Sequence, residues 1–207
     1  MGASISISLI KALANKFGVK ISEKELFDDA MKIEKIYHGN PSGIDPAVII
    51  YEKPLFFIKN KKKEFINIKN EFNIIIVNSG KKAFTKNVVN SLYNRKEKKP
   101  YFYNKIIDEI GEVTFEIKKL LTKKSFNFLC ELSKLIDYNQ KLLKKLGVSN
   151  KLLDELIIKM NNYGCHASKL SGSGKGGILI GILDKENKKV SELLNKDKIE
   201  NFILEIP

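Results

Sequence analysis

Arginine is nearly missing from this chain: of its 37 basic residues only Arg95 is an arginine, and the rest are lysines. A net charge of +13 would ordinarily point to nucleic acid. Arginine, however, supplies the planar fork that grips phosphates and guanine edges bidentately, and lysine alone serves non-specific backbone binding. With lysine, asparagine and isoleucine all abundant, the charge reads as compositional bias over a solvated surface, and no nucleic-acid partner is expected. Cysteine is scarce as well. Cys130 and Cys165 lie far apart with neither metal nor redox spacing, which argues against a zinc site and for reduced thiols in a cytoplasmic protein. No apolar run approaches the ~20 residues of a membrane span, so no membrane partner is expected. Acidic residues are absent from positions 1–22, a feature shared with organellar transit peptides, but so is arginine, which argues against targeting.

What is present describes a globular protein of one large domain or two small ones: 207 residues, 43% hydrophobic and 9% aromatic. The stretch at 34–46 carries the chemistry. Glu34 and Asp45 flank Asn40-Pro41-Ser42-Gly43, a turn in which Pro41 presets its own φ and Gly43 supplies backbone freedom, so that Asp45 is delivered to a defined point. Upstream, residues 4–13 read as a strand or a helix, and the small residues with a stop near Gly18 favour the helix. Gly2-Ala3-Ser4 would then be its entry, where free N–H groups and the helix dipole favour an anion such as phosphate. Ser22-Glu23-Lys24-Glu25 is a capping box opening a second helix, with Glu34 in its last turns.

Beyond Asp45, residues 47–51, 55–58 and 65–68 read as short β-rich runs forming a small antiparallel set. Phe72 to Val77 reads as a buried strand, and a boundary near residue 70 divides the chain into 1–70 and 71–207. A helical region then starts at Phe84, and the pattern is helical from about 102 to 163, the last helix closing at Gly164. Strands follow at 167–171 and 177–183, a helix near 186–196, and a strand at 202–206. The expected class is α+β, a sandwich with helices on one face of a sheet. Between two of those strands, Ser171-Gly172-Ser173-Gly174-Lys175-Gly176-Gly177 can approach another surface closely, or simply turn a hairpin. It lacks the spacing of a P-loop.

Together, Gly2-Ala3-Ser4, the run from His38 to Asp45 and the run from Lys169 to Gly177 resemble, in order and rough spacing, the GHMP small-molecule kinases. Asn139-Gln140, Gly147-Val148-Ser149 and Leu153-Asp154-Glu155-Leu156 are similar to stretches of the mevalonate kinases within that family. The resemblance implies a two-domain GHMP kinase fold, with an incomplete ribosomal-S5-like N-terminal domain and a ferredoxin-like C-terminal α/β sandwich. It implies a reaction too: transfer of the γ-phosphoryl group of ATP to the primary hydroxyl of mevalonate, with Mg2+ as cofactor. By the same resemblance Asp45 is the catalytic acid beside that hydroxyl. Glu34 and Ser4 are magnesium ligands, and both are hard oxygen donors suited to that ion. Gly2, Ala3, Ser4, Gly172, Ser173 and Gly174 line the nucleotide phosphates, while His38, Thr85 and Ser171 lie on the substrate side.

The departures carry expectations of their own. The family's phosphate loop begins Gly-Leu-Gly-Ser-Ser, whereas Met1 stands in the middle of it, so the segment carrying the active-site lysine is expected to be absent. Either the chain works with an N-terminal partner chain, or as a homodimer, or it is a non-catalytic remnant retained for binding. Phosphomevalonate kinase and homoserine kinase are the alternatives within the family. Ala3 replaces a serine of the family, and Lys175 replaces a glycine, where it either meets a phosphate or sits in solvent.

Overall fold

A reciprocal cap starts the second helix, as Ser22 and Glu25 require. The Ser22 amide donates to Glu25 Oε2 at 2.9 Å and the Glu25 amide donates to Ser22 Oγ at 3.2 Å. The structure, a computed structural model, describes residues 2–38, 41–59 and 63–206, with only the backbone of residues 37 and 38. It divides into two units, Met1–Asn67 and Ile68–Pro207.

In the first unit, α1 (Gly2–Lys16), α2 (Glu23–His38) and α3 (Ile44–Tyr51) pack on one another, and β1 (Leu55–Phe56) pairs antiparallel with β2 (Glu64–Phe65). Ile7, Leu26, Ala30 and Ile50 form the core, the leucine and the two isoleucines each contributing about 1.5–3 kcal/mol. The region 47–51, expected as a β-run, is helical instead. Gly43, in the left-handed region at φ 86°, stands at the N-cap, and its carbonyl accepts from the Ala47 amide at 3.1 Å. Pro46 is the third helical residue, where a missing N–H costs nothing because no intrahelical carbonyl faces it. Helical spacing also buries Ala47 and Ile50 while leaving Val48 exposed. That tertiary gain outweighs the strand preference of Val48-Ile49-Ile50.

In the second unit, β3 (Phe72–Asn78) leads into four helices: α4 (Thr85–Lys98), α5 (Pro100–Thr122), α6 (Phe128–Lys145) and α7 (Lys151–Tyr163). Strands β4 (Ala167–Ser171) and β5 (Ile178–Leu183), helix α8 (Lys189–Lys196) and strand β6 (Asn201–Ile206) follow. The sheet order is β4-β5-β3-β6 and every pair is antiparallel. With the crossovers before β4 and before β6, this is the ferredoxin-like β-α-β-β-α-β arrangement that was expected. Ile75, Val77, Leu170, Leu179 and Leu183 turn one set of alternate strand positions into a core with Leu153, Ile157 and Met160 of α7 and Val190 and Leu194 of α8. Phe72, Ala167 and Ile182 meet Phe128, Leu132 and Ile136 of α6 in a second cluster.

Candidate functional site

Two groups of residues that the sequence singles out assemble, one in each unit. In the first unit, Gly2 opens α1 and Glu34 reaches it from α2. The carboxylate is buried, and a Cβ on residue 2 would lie 3.1 Å from Glu34 Oε1. A negative group is thereby held against the positive end of the α1 dipole. Ala3 is buried behind it, Ser4 is exposed on the first turn, and the Ser6 hydroxyl donates back to the Gly2 carbonyl at 2.9 Å.

Asp45 lies in the first turn of α3 with its side chain exposed. What aims it is local. The Ile44 amide donates to Ser42 Oγ at 3.3 Å, and Gly43 leans on α2, where an added Cβ would meet Met31 Sδ at 3.1 Å and Phe27 Cζ at 3.4 Å. Gly39 and Asn40 of the expected turn, and the side chain of His38, lie outside the described residues.

In the second unit the glycine loop between β4 and β5 is strapped on both sides. A Schellman turn ends α6: the Gly147 amide donates to Lys144 O at 2.9 Å and the Val148 amide to Leu143 O at 3.2 Å. The Val148 carbonyl then accepts from the Lys175 amide at 2.8 Å. Asn150, whose Oδ1 caps α7 through the Leu153 amide at 3.0 Å, donates from Nδ2 to the Lys175 carbonyl at 2.9 Å. On the other side the Gly177 amide donates to Lys81 O at 2.8 Å, and its carbonyl accepts from the Ser79 amide at 2.9 Å. Gly174 and Gly176 lie so close to Val148 O and Lys81 O that a Cβ on either would collide with backbone.

Thr85, the first residue of α4, sits with its hydroxyl 3.2 Å from that of Ser173, so two residues expected in the site meet although 88 positions apart. Ser171 ends β4 half-buried, one residue before the loop. Behind the strap, the Ser149 hydroxyl donates to Asp154 Oδ1 at 2.7 Å and Lys144 pairs with Oδ2 at 2.8 Å. Burial works against the Asp154 charge, yet the hydrogen bonds from Lys144 and Ser149 prevail and hold its carboxyl below the usual range. The roles of Ser79 to Lys81 and of Asn150 were not read from the sequence. The Asn150 capping spacing before Leu153 was the available signal, whereas the Lys81 contact has none.

Lys169, one residue before Leu170 on β4, donates from Nζ to the Leu170 carbonyl at 2.9 Å, and burial lowers its pKa to about 8. The unfolded chain therefore binds the proton more tightly than the folded one, so stability rises as pH climbs from about 8 towards 10.5. Below that window the buried charge costs up to about 3 kcal/mol. Lys169→Met is expected to be more stable than the parent chain at pH 7, with the difference shrinking by pH 10.5, as read by urea denaturation at the two pH values. A difference that does not change with pH would contradict this.

A cavity of about 860 Å³ lies elsewhere in the second unit, lined among others by Phe126, Lys134, Asp137 and His166, and it holds none of the residues expected to bind nucleotide, metal or substrate. His166 immediately precedes β4, whose other end opens the glycine loop. The glycine loop, not this cavity, gathers the candidate chemistry of the unit.

Comparison with known proteins gives the family. Residues 1–53 match the GHMP kinases N terminal domain and residues 117–196 match the GHMP kinases C terminal domain. A mevalonate kinase of Methanocaldococcus jannaschii is 32% identical over 97% of this chain and 62% of its own length. One from Pyrococcus horikoshii is 27% identical over 91% of this chain and 56% of its own. The crystal structure of the Methanococcus jannaschii mevalonate kinase superposes with a TM-score of 0.75 at 29% identity, over 99% of this chain and 63% of that one. The chain thus spans about six tenths of the length of the relatives it matches. Both family domains, matched in order around the buried glutamate and the strapped glycine loop, make this chain a member of the GHMP kinase family.

Proposed function

We propose that this chain forms most of an ATP-dependent kinase that transfers the γ-phosphoryl group to the primary hydroxyl of mevalonate. The carrying observation is the buried Glu34 carboxylate against Gly2 at the start of α1. The matched relatives, all mevalonate kinases among those compared above, support the choice of substrate.

The first-turn N–H groups of α1 and the glycine loop at 172–174 each offer backbone to phosphate oxygens, whose charge spreads outward as the phosphoryl group leaves. Among the described residues no cluster of three or more His, Cys, Asp or Glu could hold a metal by itself. One buried carboxylate with a nearby hydroxyl-bearing turn nonetheless fits Mg2+, which keeps several waters and shares its ligation with substrate phosphates. Glu34 and Ser4 would hold it, and it would offset phosphate charge. Asp45 accepts or orients the proton of the attacking hydroxyl. Thr85 and Ser171 are the substrate-side residues of the second unit, and the Thr85 and Ser173 hydroxyls join α4 to the loop.

The test measures ADP release with mevalonate, phosphomevalonate and homoserine. It uses this chain alone, and the chain together with polypeptide making up the rest of the relatives' length as a partner. Mevalonate turnover in either preparation is the expected result. Turnover of another alcohol with none of mevalonate would overturn the substrate, and ATP bound without turnover of any acceptor would favour a binding subunit.

A further inference from the structure

Lys175 occupies a backbone conformation made for glycine. Its φ is 63°, in the left-handed region where a side chain is strained, and it stands where the resembled family commonly carries a glycine. The strain is not idle. All three of its polar groups are used on the α6–α7 turn: its amide donates to Val148 O at 2.8 Å, its carbonyl accepts from Asn150 Nδ2 at 2.9 Å, and its Nζ donates to Ser149 O at 2.8 Å. The side chain is exposed, yet its ammonium is turned back onto the Ser149 carbonyl.

We propose that Lys175 is a positioning residue, a tether that holds the glycine loop against the α6–α7 turn and so presents the backbone of residues 172–174 already ordered to the nucleotide. This rests on the reading of the loop as part of the ATP site. A loop with four glycines in seven residues has much conformational freedom to lose on binding a ligand. The ammonium hydrogen bond removes part of that freedom beforehand, which favours affinity without any contact to the ligand. The receiving turn is itself anchored. Ser149 is tied to Asp154, Asp154 to Lys144, and Gly147 packs so tightly on the Arg95 guanidinium that a Cβ there would collide with it. Arg95, the single arginine of the chain, lies with its guanidinium beside the turn that Lys175 grips.

The experiment compares the parent chain with Lys175→Met, which keeps the left-handed side chain but loses the donor, and Lys175→Arg, which restores a donor. Amide hydrogen exchange at residues 175–177 reports the tether, and ATP titration reports its consequence. Lys175→Met is expected to exchange faster at these amides, with β4 and β5 unchanged, and to bind ATP about three- to ten-fold more weakly. Lys175→Arg is expected to recover both. Unchanged exchange in Lys175→Met overturns the tether. Unchanged exchange with weakened ATP binding assigns the ammonium to the ligand instead, which also overturns it. Parent chain that binds no ATP overturns the nucleotide reading, and the exchange result then decides the tether alone.

Discussion

Asp45→Asn is expected to lower kcat for mevalonate phosphorylation by about 10²- to 10⁴-fold, the range of a positioned general base. Asparagine keeps the shape of the side chain and tolerates the first turn of a helix, so α3 should form unchanged. The supports of that turn do not involve the carboxylate: Gly43 at φ 86°, the Ser42 hydroxyl under the Ile44 amide, and Pro46, Ala47 and Ile50 buried. The loss should therefore appear in kcat with little change in the KM for ATP or in Tm. Steady-state kinetics in the preparation that turns over mevalonate check it. A variant retaining more than about a tenth of parental kcat would take the proton-handling role from Asp45.

Gly174→Ala is expected to have the second largest effect, on stability and ATP affinity together. Residue 174 has φ 85°, where a non-glycine residue costs about 1–3 kcal/mol, and the new methyl would also run into the Val148 carbonyl. Relief requires the loop to leave Val148, which breaks the strap through Lys175. Gly172→Ala is the internal control. Its φ is 84° but a Cβ there meets nothing within 4 Å, so only the conformational cost applies. Thermal melting and ATP titration of the two variants should separate them, with Gly174→Ala worse on both measures. Equal behaviour would mean that close approach to Val148 does not shape the loop.

Local rules are written in residues that act on their immediate neighbours, and these were legible. The Ser22–Glu25 capping box, the stop at Gly164, the buried β3 run and the alternating strands around the glycine segment depend on side-chain period and on φ preference alone. The region 47–51 was misread because a run of β-branched residues says strand, while burial of Ala47 and Ile50 against neighbouring helices, unseen locally, says helix.

The site divides along the same line. Residue types and spacing singled out Glu34, Asp45 and the 171–177 segment as candidates, the last with a plain hairpin as its alternative. Long-range packing alone decided their surroundings: Glu34 buried against Gly2, Thr85 bonded to Ser173 across 88 positions, and Lys175 turned back onto Ser149 rather than outward. Such contacts depend on how separate helices and strands come together, and a one-dimensional pattern does not carry that distance.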